Sequence, residues 1–150
     1  MKIKHFFPLI LFICLAYNFK AFGQQTNRQI NLKLTDAATK TTRTYALNSM
    51  VYACGRAFTC SLNIDFKQNM DAFLLKWVAG EIKETEGVMT IEDADLGKQP
   101  RTIVFKGATA DNTSESLVSR DNSSYIQMAL TVKSLVVDGV TIYTEAQKVK

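Results

Sequence analysis

Histidine is nearly absent from this chain of 150 residues, and the single copy, His5, sits in an N-terminal segment with the marks of an export signal. Without it there is no Ser-His-Asp triad and no Cys-His dyad, and the commonest nitrogen ligand for zinc is missing. Proline is confined to Pro8 and Pro100, so no proline-rich linker divides the chain. The 7 glycines form neither a phosphate-cradling loop nor a nucleophile elbow. No apolar run reaches the roughly 20 residues a membrane-spanning helix needs. These absences remove most hydrolytic, zinc and nucleotide chemistry. Nothing in the sequence argues for an enzyme or a cofactor.

Residues 1–23 read as a secretory signal peptide. Lys2 and Lys4 give the basic start, Phe6 to Tyr17 the apolar run interrupted by Pro8, and Ala21 and Gly23 the small residues before a cut at Gln24. The run ends at Asn18 and Lys20, too early for an anchor. A lipoprotein signal is the alternative, since Leu11-Phe12-Ile13-Cys14 loosely resembles a lipobox, although Ile13 is bulky where a small residue belongs. Lys2, Lys4 and Lys20 leave with the leader and no acid does. The 18 Lys+Arg become 15 against 14 Asp+Glu, and the net charge falls from +4 to +1. The mature chain, residues 24–150, therefore gives no reason to expect nucleic acid or stable membrane insertion. It is sized for one domain with its own core, exported to the periplasm or beyond.

Hydrophobic alternation dominates the mature chain. Ile30, Leu32 and Leu34 predict a strand, and Thr42 to Ala53 a second. Phe58, Cys60, Leu62, Ile64 and Phe66 alternate strictly with polar residues and predict a third. The period then changes: Phe73, Leu74, Trp77 and Val78 fall on one helical stripe, predicting a helix from Met70 to Ala79 capped by Asn69 and stopped at Gly80. Strand patterns resume at Val88–Asp93, Arg101–Thr109, Ser114–Arg120, Tyr125–Val137 and Val140–Tyr143. Asp138-Gly139 between two apolar runs is the signal of a two-residue hairpin turn. The expected fold is mainly β: an antiparallel two-sheet barrel or sandwich of about eight strands with one short helix.

Three constellations are candidates for function. Glu92, Asp93 and Asp95 would suit a calcium site, but the EF-hand offsets are missing and a solvated hairpin end explains them as well. Phe73, Leu74 and Trp77 form either a binding stripe or, as such stripes usually do, part of the core. Cys54 and Cys60 flank a short hairpin-like segment, and two readings fit them: a cross-strand disulfide, or two small buried residues that never pair. Their spacing is not that of a Cys-x-x-Cys redox pair.

The order of elements then resembles a known family. Leu47-Asn48-Ser49-Met50-Val51-Tyr52 precedes the strand Ser61-Leu62-Asn63-Ile64-Asp65-Phe66. The helix Asp71-Ala72-Phe73-Leu74-Leu75-Lys76-Trp77-Val78 follows. Next come Glu86-Gly87-Val88-Met89-Thr90-Ile91 and Arg101-Thr102-Ile103-Val104-Phe105-Lys106-Gly107-Ala108, and the end runs from Met128 through Asp138-Gly139-Val140. This resembles the Hcp family, the tube-forming proteins of type VI secretion systems, over Ile30 to the C-terminus. The resemblance implies a small two-sheet β-barrel with a flanking helix. It also implies a non-enzymatic structural role, assembly into hexameric rings that stack as a tube, and secretion-system components or effectors as partners. Two features depart from the family. A leader is unusual for a tube protein that assembles in the cytoplasm. The loop that helps rings stack is cut to about Cys54–Thr59. The rival expectation is an exported β-sandwich module that binds a small ligand or a surface partner.

Overall fold

The computed structural model describes residues 28–55, 59–93, 99–118 and 123–145. The leader, Phe58 and Asp95 lie outside them. Among the described residues there are eight strands and one helix, in the order β1 (Arg28–Asp36), β2 (Thr42–Cys54), β3 (Cys60–Phe66), α1 (Ala72–Val78), β4 (Thr85–Asp93), β5 (Arg101–Val118), β6 (Ser123–Val132), β7 (Ser134–Val137) and β8 (Val140–Thr144). Every pairing among the described strands is antiparallel.

The sheet runs β4-β1-β2-β3-β6-β5, and β4 also pairs with β5, so these strands close on themselves. Closure removes the exposed edges that an open sheet would present. β7 and β8 continue outward from β5. Alternation explains the interior. Leu32 and Leu34, Tyr45 and Leu47, Leu62, Ile64 and Phe66, and Ile126, Met128 and Leu130 all point inward and are buried. The polar residues between them face out, the pattern of a sheet packed on one face only.

The strand count matches the expectation, but two boundaries move. The polar stretch between Thr109 and Ser114 does not end a strand. A register shift between Ala110 and Asn112 absorbs one residue, and β5 continues as a single strand to Val118. Conversely, the run from Tyr125 to Val137 is interrupted at Lys133, whose N–H leaves the ladder to donate to the Lys106 carbonyl at 3.0 Å. Opposite it, Gly107 adopts a φ of +62°, and a Cβ there would stand 2.6 Å from Lys133 Cδ. Beyond this irregularity β7 resumes pairing with β5, Lys106 facing Ser134.

The helix is shorter than its periodicity predicts, and its cap is Asp71 rather than Asn69. Asp71 is extended (φ −96°, ψ 175°) and its side chain accepts from the Leu74 N–H at 2.9 Å. A carboxylate two residues closer to the apolar stripe reaches that orphan donor, so the helix begins two residues later. The end matches expectation: Gly80 at φ +78° follows Ala79, with Gly80 N–H to Trp77 O at 3.0 Å and Glu81 N–H to Lys76 O at 2.9 Å. This pair of bonds satisfies the last carbonyls in a left-handed stop. Asp138 (φ +50°) and Gly139 (φ +82°) form the expected tight turn between β7 and β8.

Candidate functional site

The predicted candidates separate cleanly. Phe73, Leu74 and Trp77 belong to the core, none more than 7% exposed. The stripe packs the helix onto the barrel and offers nothing to a ligand. Asp71 reinforces that packing, because its carboxylate also accepts from the buried Tyr45 hydroxyl at 3.1 Å. Burial, and then the Asp71 charge, push the Tyr45 phenol above its ordinary pKa. Tyr45 in turn meets Phe66 edge to face, ring centroids 5.5 Å apart.

Of the acidic candidates, Glu92 and Asp93 lie on β4, and Asp95 lies outside the described residues. Glu92 faces Gln29 and Asp93 faces Arg28 across β1–β4. Among the described residues no group of three or more His, Cys, Asp or Glu could hold a metal ion.

Cys54 and Cys60 are directly opposite in the β2–β3 register. Their Cα atoms are 4.1 Å apart and their Sγ atoms 2.02 Å apart. Gly55 N–H donates to Thr59 O at 3.2 Å on the turn side. This places the cysteines at the neighbouring, closer pair of the ladder, where side chains approach most nearly. Cys60 is fully buried, in line with its place on the apolar face of β3.

Two surface features were not read from the sequence. The first is an edge. β8 pairs with β7 and with no other strand among the described residues. Four of its five residues are exposed, including Val140 (61%) and Ile142 (47%). It is the edge strand of the described sheet, the position at which a sheet can take a further strand. The turn that holds β8 is rigid. Thr102 N–H donates to Asp138 Oδ1 at 2.8 Å and Asp138 N–H donates to Thr102 O at 2.8 Å, while Arg101 Nε donates to Asp138 Oδ2 at 2.9 Å. The Thr102 N–H first, and then Arg101, hold the Asp138 carboxyl below its ordinary range. Periodicity finds β8 but cannot show that it is last in the sheet.

The second feature is a groove of about 370 Å³ on the outer face of β2, β3, β6 and β5. Its residues fall in two cross-strand rows. One runs Ser49, Asp65, Gln127, Ser114, and the other Val51, Asn63, Ala129, Asn112. Each row assembles residues far apart in sequence, so no local motif signals it. Near one end of this sheet the β5–β6 ribbon projects past the last β3 pair, Phe66 with Ile126. It carries Leu117 (74% exposed) and Tyr125 (49% exposed).

No protein-family model matches the chain, and no curated protein matches it. Solved structures do share its fold. Hcp1 from Flavobacterium johnsoniae superimposes with a TM-score of 0.56 at 14% identity, covering 75% of this chain and 98% of that one. Hcp1 from Salmonella typhimurium gives a TM-score of 0.56 at 17% identity, covering 72% of this chain and 84% of that one. The barrel with its flanking helix is therefore the fold of the Hcp1 proteins.

Proposed function

We propose that the chain is a non-enzymatic structural subunit that resembles the type VI secretion tube protein and self-assembles into hexameric rings. The observation that carries this reading is the β8 edge, which no described strand other than β7 pairs, with Val140 and Ile142 exposed beside it. Pairing with a strand of the next copy would satisfy its outer backbone groups, and burying the two side chains would add apolar contact. A ring requires this edge to dock against a different surface of the next copy, a head-to-tail contact that repeats until it closes. The Hcp1 fold and the order of sequence elements support the same reading.

In this reading residues 1–23 direct export and are removed, the mature subunit works in the periplasm or beyond, and Cys54 and Cys60 are joined in that oxidising setting. The shortened turn between β2 and β3 leaves little to lock one ring onto another, so rings form without stacking into a long tube. Native mass spectrometry of protein recovered from the export compartment tests the reading. A ring-sized species of chains beginning at Gln24 supports it, and a monomer at micromolar concentration counts against it. One observation favours a second reading, an exported binding module: the polar groove across β2, β3, β6 and β5.

A further inference from the structure

The groove gathers polar side chains from four strands. Among the described residues, the amides of Asn63, Asn112 and Gln127 make no side-chain hydrogen bond. Each amide offers two N–H donors and a carbonyl acceptor. Asn63 and Asn112 lie in one register row, with Ala129 between them, and Gln127 lies in the next row. The small Ala129 side chain keeps the centre of the groove low between the amides.

Charge narrows the class of ligand. Among the described residues, Asp65 is the only charged one lining the groove. Its Oδ1 receives a long contact of 3.4 Å from Asn48 Nδ2 and is otherwise open to acceptance. A carboxylate with no cation among the other described lining residues disfavours anions in the groove. The amides and the Ser49 and Ser114 hydroxyls exclude a purely apolar ligand, which would leave them unbonded. Hydroxyl groups that both donate and accept, without net charge, suit this set. The four strands span about 14 Å at about 4.8 Å between neighbours, room for a short chain of such units. Val51 forms an apolar wall, and Tyr125, two positions from Gln127 along β6, exposes a ring on the same face. An aromatic ring there can meet the C–H face of a polyhydroxylated ring while its hydroxyl stays wet.

We propose that this groove binds a neutral oligosaccharide, with Asn63, Asn112 and Gln127 bonding its hydroxyls, Asp65 accepting from one of them, and Tyr125 packing on a ring face. The site stands whether or not the chain forms rings, because it uses residues of one subunit.

The test is titration of the exported protein with maltohexaose, cellohexaose and chitohexaose. Backbone amide shifts are followed by NMR, and polygalacturonate serves as the anionic comparison. At least one neutral probe should bind with a Kd below about 1 mM, shifting residues of β2, β3, β5 and β6 around the groove. The Asn63→Ala/Gln127→Ala double variant should retain the circular dichroism spectrum and lose at least about tenfold in affinity. Three results would overturn the inference: no saturable shift with any neutral probe, equal binding by the double variant, or tighter binding of polygalacturonate. The subunit mass is measured on the same sample, so loss of ring assembly and loss of binding are read separately.

Discussion

The Phe105 ring lies directly over Gly87, its cross-strand partner in β4–β5, so closely that a Cβ on Gly87 would stand 2.0 Å from Phe105 Cζ. Phe105 is fully buried. The glycine is thus a matter of space: the ring occupies the place of the missing side chain and covers the backbone at the seam where the barrel closes. Gly87→Ala must push the ring out of its site. Overpacking of this kind costs about 1–3 kcal/mol, and urea unfolding should show a midpoint shift of that size with an unchanged slope. Phe105→Leu should recover part of the loss in the Gly87→Ala background, since the two positions share one volume.

Asp71 serves two partners at once, the Leu74 N–H and the Tyr45 hydroxyl. Asp71→Ala removes a helix cap and leaves a buried phenol without an acceptor, which together should cost about 2–4 kcal/mol. Tyr45→Phe removes only the shared bond and should cost about 1 kcal/mol. A double-mutant cycle on chemical denaturation should show coupling between the two sites.

The pH dependence follows from Asp36 and Asp138. The Thr39 hydroxyl and the Ala38 N–H hold the Asp36 carboxyl below the ordinary carboxylate range, as the Thr102 N–H and Arg101 hold that of Asp138. A carboxyl whose folded pKa is depressed contributes stability above its unfolded pKa and loses it as pH falls through the folded one. Both contributions should therefore be intact at neutral pH and disappear below about pH 4. Asp36→Asn and Asp138→Asn should each flatten the acid limb of the stability profile. Tyr45 acts at the other end: its raised pKa means that stability should fall as pH rises past about 10.

Cys54 and Cys60 enclose a short segment, separated by six positions. If they are joined, intact mass should rise by two hydrogens on reduction. The Cys54→Ser/Cys60→Ser variant should lose about 2 kcal/mol, the chain-entropy value for so small a loop.

How much of this was readable in advance depends on how local the cause is. Strand β3 was legible because burial on one face imposes alternation on Cys60, Leu62, Ile64 and Phe66. Asp138-Gly139 was legible because positive φ at two positions restricts the residues that fit. The continuity of β5 was not, because Thr109 to Thr113 is polar and its pairing comes from β6 across a bulge. Nor was the break at Lys133, since apolar alternation runs through the neighbouring residues while the irregularity depends on Gly107 opposite. The helix cap was misplaced from Asp71 to Asn69 because both residue types cap well and only the geometry selects between them. The β8 edge and the groove rows depend on strand order, which no window of sequence contains.

The central claim is self-assembly through β8, and the most direct measurement is the native mass of the exported protein beside that of its Val140→Lys/Ile142→Lys variant. Both side chains are exposed, so the variant should fold as a barrel by circular dichroism. The account predicts six-chain rings for the parent and monomers for the variant. A parent that is monomeric at micromolar concentration, or a variant that still forms rings, would contradict it.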